Sequence, residues 1–258
     1  MKAADDSGVP TLTVDGGVAT ISLQRPAQRN RLHREDLLTL QSHFAALAAN
    51  PTAHVLVLAA SGPAFCAGYH LGELAAAGPP DGPPVFETTV DALERLPLPT
   101  VARLHGGVHG GATDLALACD FRVGVAGMVL RMPAARLGLH YYASGLRRFV
   151  SRLGLGAAKR LCLLGDEIGA DELLRIGYLD RLVAPAALDA EVADLVQTLL
   201  ANAPLAVRHM KASLDEIARG DEDLERLRER EAACAASADL REGLAAFADR
   251  RAPRFQGR

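Results

Sequence analysis

Two glycine-rich turns constrain this chain more than any other feature, because each follows a short, largely apolar run and then opens a helical pattern. HVLVLAA, His54 to Ala60, is broken by Gly62-Pro63 and followed by AFCAGYHLGEL, Ala64 to Leu74. Thr100 to Leu104 runs directly into HGGVHGGATDLALACDF, His105 to Phe121. Short continuous apolar runs suit strands buried on both faces, the habit of parallel sheets. Gly106, Gly107, Gly110 and Gly111 are too dense for an ordinary helix. They allow tight turns and close approach of the backbone to a ligand.

Each turn presents a backbone N–H. Tyr69 follows Gly68 in the first turn, and Gly111 precedes Ala112 in the second. Two N–H groups facing one oxygen make an oxyanion hole, and a helix start at Ala112 would favour a developing anion at Gly111. Asp114 sets a carboxylate beside that second donor. Alone it reads as dipole complementation; paired with AFCAGYHL it reads as a general acid/base. The Tyr69 ring is pocket wall or core, and His70 is a proton donor or structural. LGLHYYASGLRRF, Leu137 to Phe149, sets His140, Tyr141 and Tyr142 in a row before a helix. They form either a packed turn or a set of donors facing a substrate. The second turn is not a phosphate-cradling P-loop, because no Gly-Lys-Ser/Thr follows it.

The remaining pattern is of mixed type. TLTVDGGVATISLQRP reads as a hairpin turning at Asp15-Gly16-Gly17. Arg34 to Ala49 has helical spacing, Leu74 to Pro84 reads as a mobile loop, and Val85 to Leu96 as a helix stopped by Pro97. Ala112 to Cys119 predicts a buried helix, Phe121 to Val125 a strand and Met128 to Leu130 a strand remnant. From Ser144 onward helical patterns dominate.

Composition excludes several classes. Net charge is −3, aromatics are 4% and Trp is absent, so neither a global basic field nor base-stacking surfaces point to nucleic acid. Arg25, Arg29, Arg31 and Arg34 read as a solvated face or a phosphate patch. No apolar run reaches the ~18 residues of a membrane span. The first residues, MKAADDSGVP, lack the apolar core of a signal peptide. Cys66, Cys119, Cys162 and Cys234 show no metal-ligand spacing and read as reduced, which fits a cytoplasmic protein without a metal.

With both glycine stretches in place, the chain resembles the crotonase (enoyl-CoA hydratase/isomerase) superfamily nearly end to end. QRPAQRNRL, VLVLAASGPAFCAGYHLGEL, VARLHGGVHGGATDLALACDFRV, ARLGL and DLREGLAAFADRRAPRF carry the likeness. The resemblance implies an α/β fold: a spiral of ββα turns over residues 1–185, holding the CoA and acyl site. A C-terminal helical trimerisation region over 186–258 follows, in a homotrimer or dimer of trimers. It implies an acyl-CoA substrate, with coenzyme A as part of that substrate and no permanently bound cofactor. Tyr69 and Gly111 would supply the oxyanion-hole N–H groups. Ala67, Gly68 and Leu71 would border the CoA, and Ala27, Gln28 and Arg29 would line the other side of its nucleotide. Phe247 and Arg250 would reach a neighbouring subunit's CoA. Typical hydratases carry two glutamates. The first falls at Asp114, the second where Ala134 stands after Pro133. A single carboxylate suits a double-bond isomerase better than a hydratase, unless His70, His140 or Tyr141 substitutes. Decarboxylation or hydrolysis of a branched or dicarboxylic acyl-CoA through Tyr141 and His140 is the alternative, and a CoA-binding protein without catalysis another.

Overall fold

The computed structural model describes residues 8–76 and 83–258. β1 (Thr11–Asp15) and β2 (Val18–Leu23) form the antiparallel hairpin expected from the sequence. Gly16 and Gly17 turn it with φ of +53° and +85°, a conformation whose twist matches the flanking strands.

From β2 onward the chain repeats one winding: a strand, a short extended segment, a helix. β2 is followed by Leu32 and α1 (Arg34–Ala48). β3 (Val55–Ala60) is followed by the Cys66–Tyr69 segment, α2 (Leu71–Ala76) and α3 (Val85–Glu94). β4 (Thr100–Leu104) leads to β5 (Val108–His109) and α4 (Ala112–Leu117). β6 (Phe121–Val125) leads to β7 (Val129–Arg131) and α5 (Ala143–Lys159). β8 (Glu167–Gly169), α6 (Ala170–Arg175) and β9 (Arg181–Val183) complete the mixed region. The large sheet runs β1-β2-β3-β4-β6-β9, parallel from β2 to β9. The small sheet runs β5-β7-β8, and the parallel bridges Leu32–Tyr69 and Cys66–Val108 carry it back through the earlier windings. Each winding therefore lies beside its predecessor in both sheets, which makes a ββα spiral.

Burial explains the order. Parallel strands need crossovers, and the crossover helices cover the sheet. β3 is buried along nearly its whole length, and every residue of α4 is buried. Such elements carry mostly apolar side chains on all sides, as the sequence pattern predicts, with Thr113 and Asp114 the buried polar exceptions on α4.

The helical C-terminal region comprises α7 (Leu188–Leu200), α8 (Pro204–Arg219), α9 (Leu224–Ala236) and α10 (Ala238–Asp249). α7 packs on β3, β4 and β6; α8 packs on α5 and α9; α10 packs on α9. No described helix is long and apolar enough to cross a membrane.

Some boundaries differ from expectation. β8 and β9 lie where helix was expected, because three-residue strands are too short to show alternation. Leu74 to Ala76 complete α2 rather than opening a loop, and positions 77–82 of that expected loop lie outside the described residues. Met128 belongs to the turn before β7, its N–H bonded to the Val125 carbonyl at 3.1 Å. Cys66, Cys119, Cys162 and Cys234 are free thiols. Burial pushes the Cys66 and Cys119 thiols up to about 12, so neither is a nucleophile at neutral pH.

Candidate active site

The two glycine turns meet. Gly68 has φ of +91°, and a Cβ there would sit 2.7 Å from the His109 carbonyl oxygen and 3.1 Å from the Gly111 nitrogen. Only glycine lets these backbones approach so closely. The small sheet consumes the surrounding N–H groups. Cys66 donates to Gly107, His109 to Cys66 and Gly110 to Arg131, at 3.2, 3.0 and 2.9 Å. Leu32 N–H bonds Gly68 and His70 N–H bonds Leu32, each at 2.9 Å, so Tyr69 N–H between them faces away from that pairing. Among the described residues, neither Tyr69 N–H nor Gly111 N–H has an acceptor. Two adjacent turns thus end in two free donors. Phe86 of α3 packs against them: a Cβ on Gly111 would lie 2.6 Å from Phe86 Cζ, and the Tyr69 and Phe86 ring centres are 5.9 Å apart.

Asp114 is fully buried on α4. Arg148, also fully buried, donates from Nη1 to both carboxylate oxygens at 2.8 Å. The Tyr142 hydroxyl donates to Oδ2. Arg148 also binds Glu94 Oε1 through Nε and Asp91 Oδ1 through Nη2, each at 2.8 Å, while Arg147 binds Glu94 Oε2 at 2.7 Å. Burial works against the Glu94 carboxylate, yet Arg148 and Arg147 hold it down at about 2. Burial opposes the Arg148 charge, but Asp114 and Glu94 hold its proton more tightly than an ordinary guanidinium does, raising its pKa. Burial and then the Asp114 charge push both the Tyr141 and Tyr142 phenols well above their usual value, so both stay protonated. Gly145 permits this packing, since a Cβ there would lie 2.5 Å from Tyr141 Cε1 and 2.8 Å from Asp114 Oδ2.

Of the ring cluster, Tyr142 reaches Asp114. Tyr141 is buried, stacked on Tyr142 at 4.4 Å, with its hydroxyl 3.5 Å from that of Tyr142. His140 is exposed. Ala134 is buried at the start of the 3₁₀ turn Ala134–Leu137. Arg148, Glu94 and Phe86 were not singled out from the sequence. The signal was present: Glu94 and Arg148 are charges on otherwise apolar helix stripes, beside Val90 and Leu93 and beside Gly145 and Phe149.

Of the residues expected to border the CoA, Gly68 is buried, Ala67 is half-buried and the others are exposed. Ala27, Gln28 and Arg29 are exposed around the 3₁₀ turn Pro26–Gln28. The Arg29 carbonyl accepts from Ala67 N–H at 2.9 Å, tying this turn to the first glycine turn. Leu71 is exposed at the start of α2. Asn30 is buried in the left-handed conformation and braces the region, with Nδ2 donating to the Ser61 and Ala64 carbonyls at 2.7 and 2.9 Å. Phe247 and Arg250 are exposed on and just beyond α10, a helix that packs on α9. His33, His70 and Glu73 bring ligand-type atoms within 4.8 Å of one another. Their polar groups already serve each other: Glu73 Oε1 pairs with His33 Nδ1 at 2.7 Å, and Glu73 N–H donates to His70 Nδ1 at 3.1 Å.

Comparison with known proteins identifies the family. The sequence model of the enoyl-CoA hydratase/isomerase family matches residues 13–258. The crotonyl-CoA hydratase of Syntrophomonas wolfei is 30% identical, over 92% of this chain and 94% of that protein. An enoyl-CoA isomerase/hydratase of Mycosarcoma maydis is 33% identical, over 94% and 93%. The crystal structure of an enoyl-CoA hydratase from Bacillus anthracis superposes with a TM-score of 0.87 at 28% identity, covering 96% of this chain and 99% of that one. A further solved member of the enoyl-CoA hydratase/isomerase family reaches a TM-score of 0.89 at 30% identity, covering 97% and 98%. The chain belongs to the enoyl-CoA hydratase/isomerase family of the crotonase superfamily.

Proposed function

We propose that this chain moves a proton within an acyl-CoA thioester by way of an enolate. Tyr69 and Gly111 N–H hold the thioester oxygen, and Asp114 is the carboxylate that supplies the base. The observation that carries this reading is the pair of unpartnered N–H groups at abutting turns, one of them at the mouth of the helix bearing Asp114. Preorganised donors lower the barrier because charge gathers on the thioester oxygen only as the proton leaves. With alanine at position 134, a single carboxylate network serves the site, which favours double-bond isomerisation over hydration. Decarboxylation through Tyr141 and His140 has less support, since His140 is exposed and the Tyr141 hydroxyl faces Tyr142.

In this reading Ala27, Gln28, Arg29, Ala67, Gly68 and Leu71 border the CoA, whose remote binding energy positions the acyl group. Phe247 and Arg250 meet the CoA of a neighbouring copy in a trimer or dimer of trimers, with residues 186–258 as the assembling region and 1–185 as the catalytic core. The exposed apolar side chains Met210, Leu214 and Ile217 of α8 and Leu240, Leu244 and Phe247 of α10 support that assembly. The protein works in the cytoplasm.

The test is conversion of 3-enoyl-CoA to 2-enoyl-CoA by the purified protein. Asp114→Asn should lower turnover at least ~100-fold, the scale of a lost acid/base. Folded protein that binds no acyl-CoA overturns the proposal, and binding without turnover of any enoyl-CoA supports a silent CoA-binding protein instead.

A further inference from the structure

We propose that Tyr142, rather than Asp114 itself, exchanges the proton with the substrate carbon, and that Asp114 is the fixed acceptor behind it. This rests on the acyl-CoA reading above and turns the general expectation of a donor in the His140–Tyr142 row into a specific role for Tyr142.

The geometry separates the two groups. Asp114 has no exposed surface, and both of its oxygens are occupied by Arg148 Nη1 at 2.8 Å. Reaching a substrate would require Asp114 to leave a buried guanidinium that also anchors Glu94 and Asp91, stranding charge in the interior. Tyr142 is only partly buried and already donates its hydroxyl proton to Asp114 Oδ2. Its ring stands edge-on to Phe86, with centres 6.1 Å apart, and Phe86 is the ring packed against Gly111 and Tyr69. Phe86 thus links the Tyr142 ring, whose hydroxyl meets the sealed carboxylate, to the turns that carry the two free donors.

The step balances within the residues present. The substrate C–H bond breaks and its electron pair enters the enolate, whose oxygen rests on the two N–H groups. The proton goes to Tyr142 Oη as the phenolic proton passes to Asp114 Oδ2. In the return step Tyr142 gives its proton to the other end of the enolate and takes one back from Asp114. The phenol is never left ionised beside the carboxylate, in keeping with the upward push that burial and Asp114 exert on it. Arg148 acts as a positioning residue, fixing the direction in which Asp114 accepts.

The experiment uses butyryl-CoA, which can exchange its α-proton but cannot isomerise. Exchange is followed in D2O and binding by calorimetry, for wild type, Tyr142→Phe, Asp114→Asn and the double variant. Each single variant should lower exchange about 100-fold with affinity kept within about threefold, and the double variant should be no slower than either single one. Near-wild-type exchange by Tyr142→Phe, or losses that multiply, overturns the relay. So does binding by wild type without exchange. Failure of wild type to bind butyryl-CoA sinks the acyl-CoA reading itself. Should Tyr142→Phe lose binding, the wild-type loss of label from α-tritiated butyryl-CoA across H2O–D2O mixtures decides: the relay moves one solvent-derived proton, the phenolic one, so the rate falls in a straight line with deuterium content, and a rate independent of deuterium overturns the relay.

Discussion

Replacing Arg148 with methionine isolates the electrostatics that hold the candidate site together. Methionine preserves much of the apolar stem and removes the charge. The affected carboxylates are unequally insured. Glu94 keeps Arg147 at 2.7 Å, and Asp91 is partly exposed with Arg95 4.0 Å away. Among the described residues, Asp114 keeps only the neutral Tyr142 hydroxyl as a side-chain hydrogen-bond partner, and it remains fully buried. Removing one partner of a buried pair costs about 3–5 kcal/mol, because a charge is left uncompensated. That is a large part of the 5–15 kcal/mol that holds a typical domain folded, roughly. If Asp114 is the source of the loss, Asp114→Asn should recover about 2 kcal/mol in the Arg148→Met background and destabilise the wild type. The assay is urea unfolding followed by circular dichroism at one fixed protein concentration, since association would shift the midpoint. An Arg148→Met loss below about 1 kcal/mol, or an Asp114→Asn penalty equal in both backgrounds, would show that the Asp114–Arg148 pair does not carry the loss.

Glu94 is held at about 2 against an ordinary value of 4.5, so its contribution is full above the unfolded value and is lost as pH falls toward 2. The contribution approaches about 3 kcal/mol at most, and the stability difference between wild type and Glu94→Gln should shrink over that window; a constant difference between pH 6 and 3 would contradict it. Gly127 and Gly68 have φ of +83° and +91°, but a Cβ meets nothing at Gly127 and the His109 carbonyl oxygen at 2.7 Å at Gly68. Gly127→Ala should cost about 1 kcal/mol from strain, and Gly68→Ala at least about 2 kcal/mol more together with butyryl-CoA affinity; equal losses in thermal unfolding would show that the contact is relieved elsewhere. Phe247 is 86% exposed. Phe247→Asp should shift the sedimenting species to smaller assemblies and weaken butyryl-CoA binding, whereas unchanged sedimentation would remove α10 from the interface.

The sequence by itself determined the elements whose cause is local. β3 and β4 are legible because short, largely apolar runs bounded by breaking residues suit buried strands, and the β1–β2 turn because paired glycines take positive φ freely. Gly68-Tyr69 and Gly110-Gly111 marked the donor turns because glycine density has a backbone cause readable in one dimension. β8 and β9 were not legible, since three residues carry no period and form strands only because partners stand beside them. Tertiary structure alone decided what surrounds Asp114. Arg148, Tyr142 and Glu94 lie on α5, before it and on α3, far apart in the chain, and a charge on an apolar stripe announces only that some partner exists. Which oxygen meets which nitrogen is set by how α3, α4 and α5 pack over the sheet, because a buried ion pair persists only where packing brings its partners to hydrogen-bond distance.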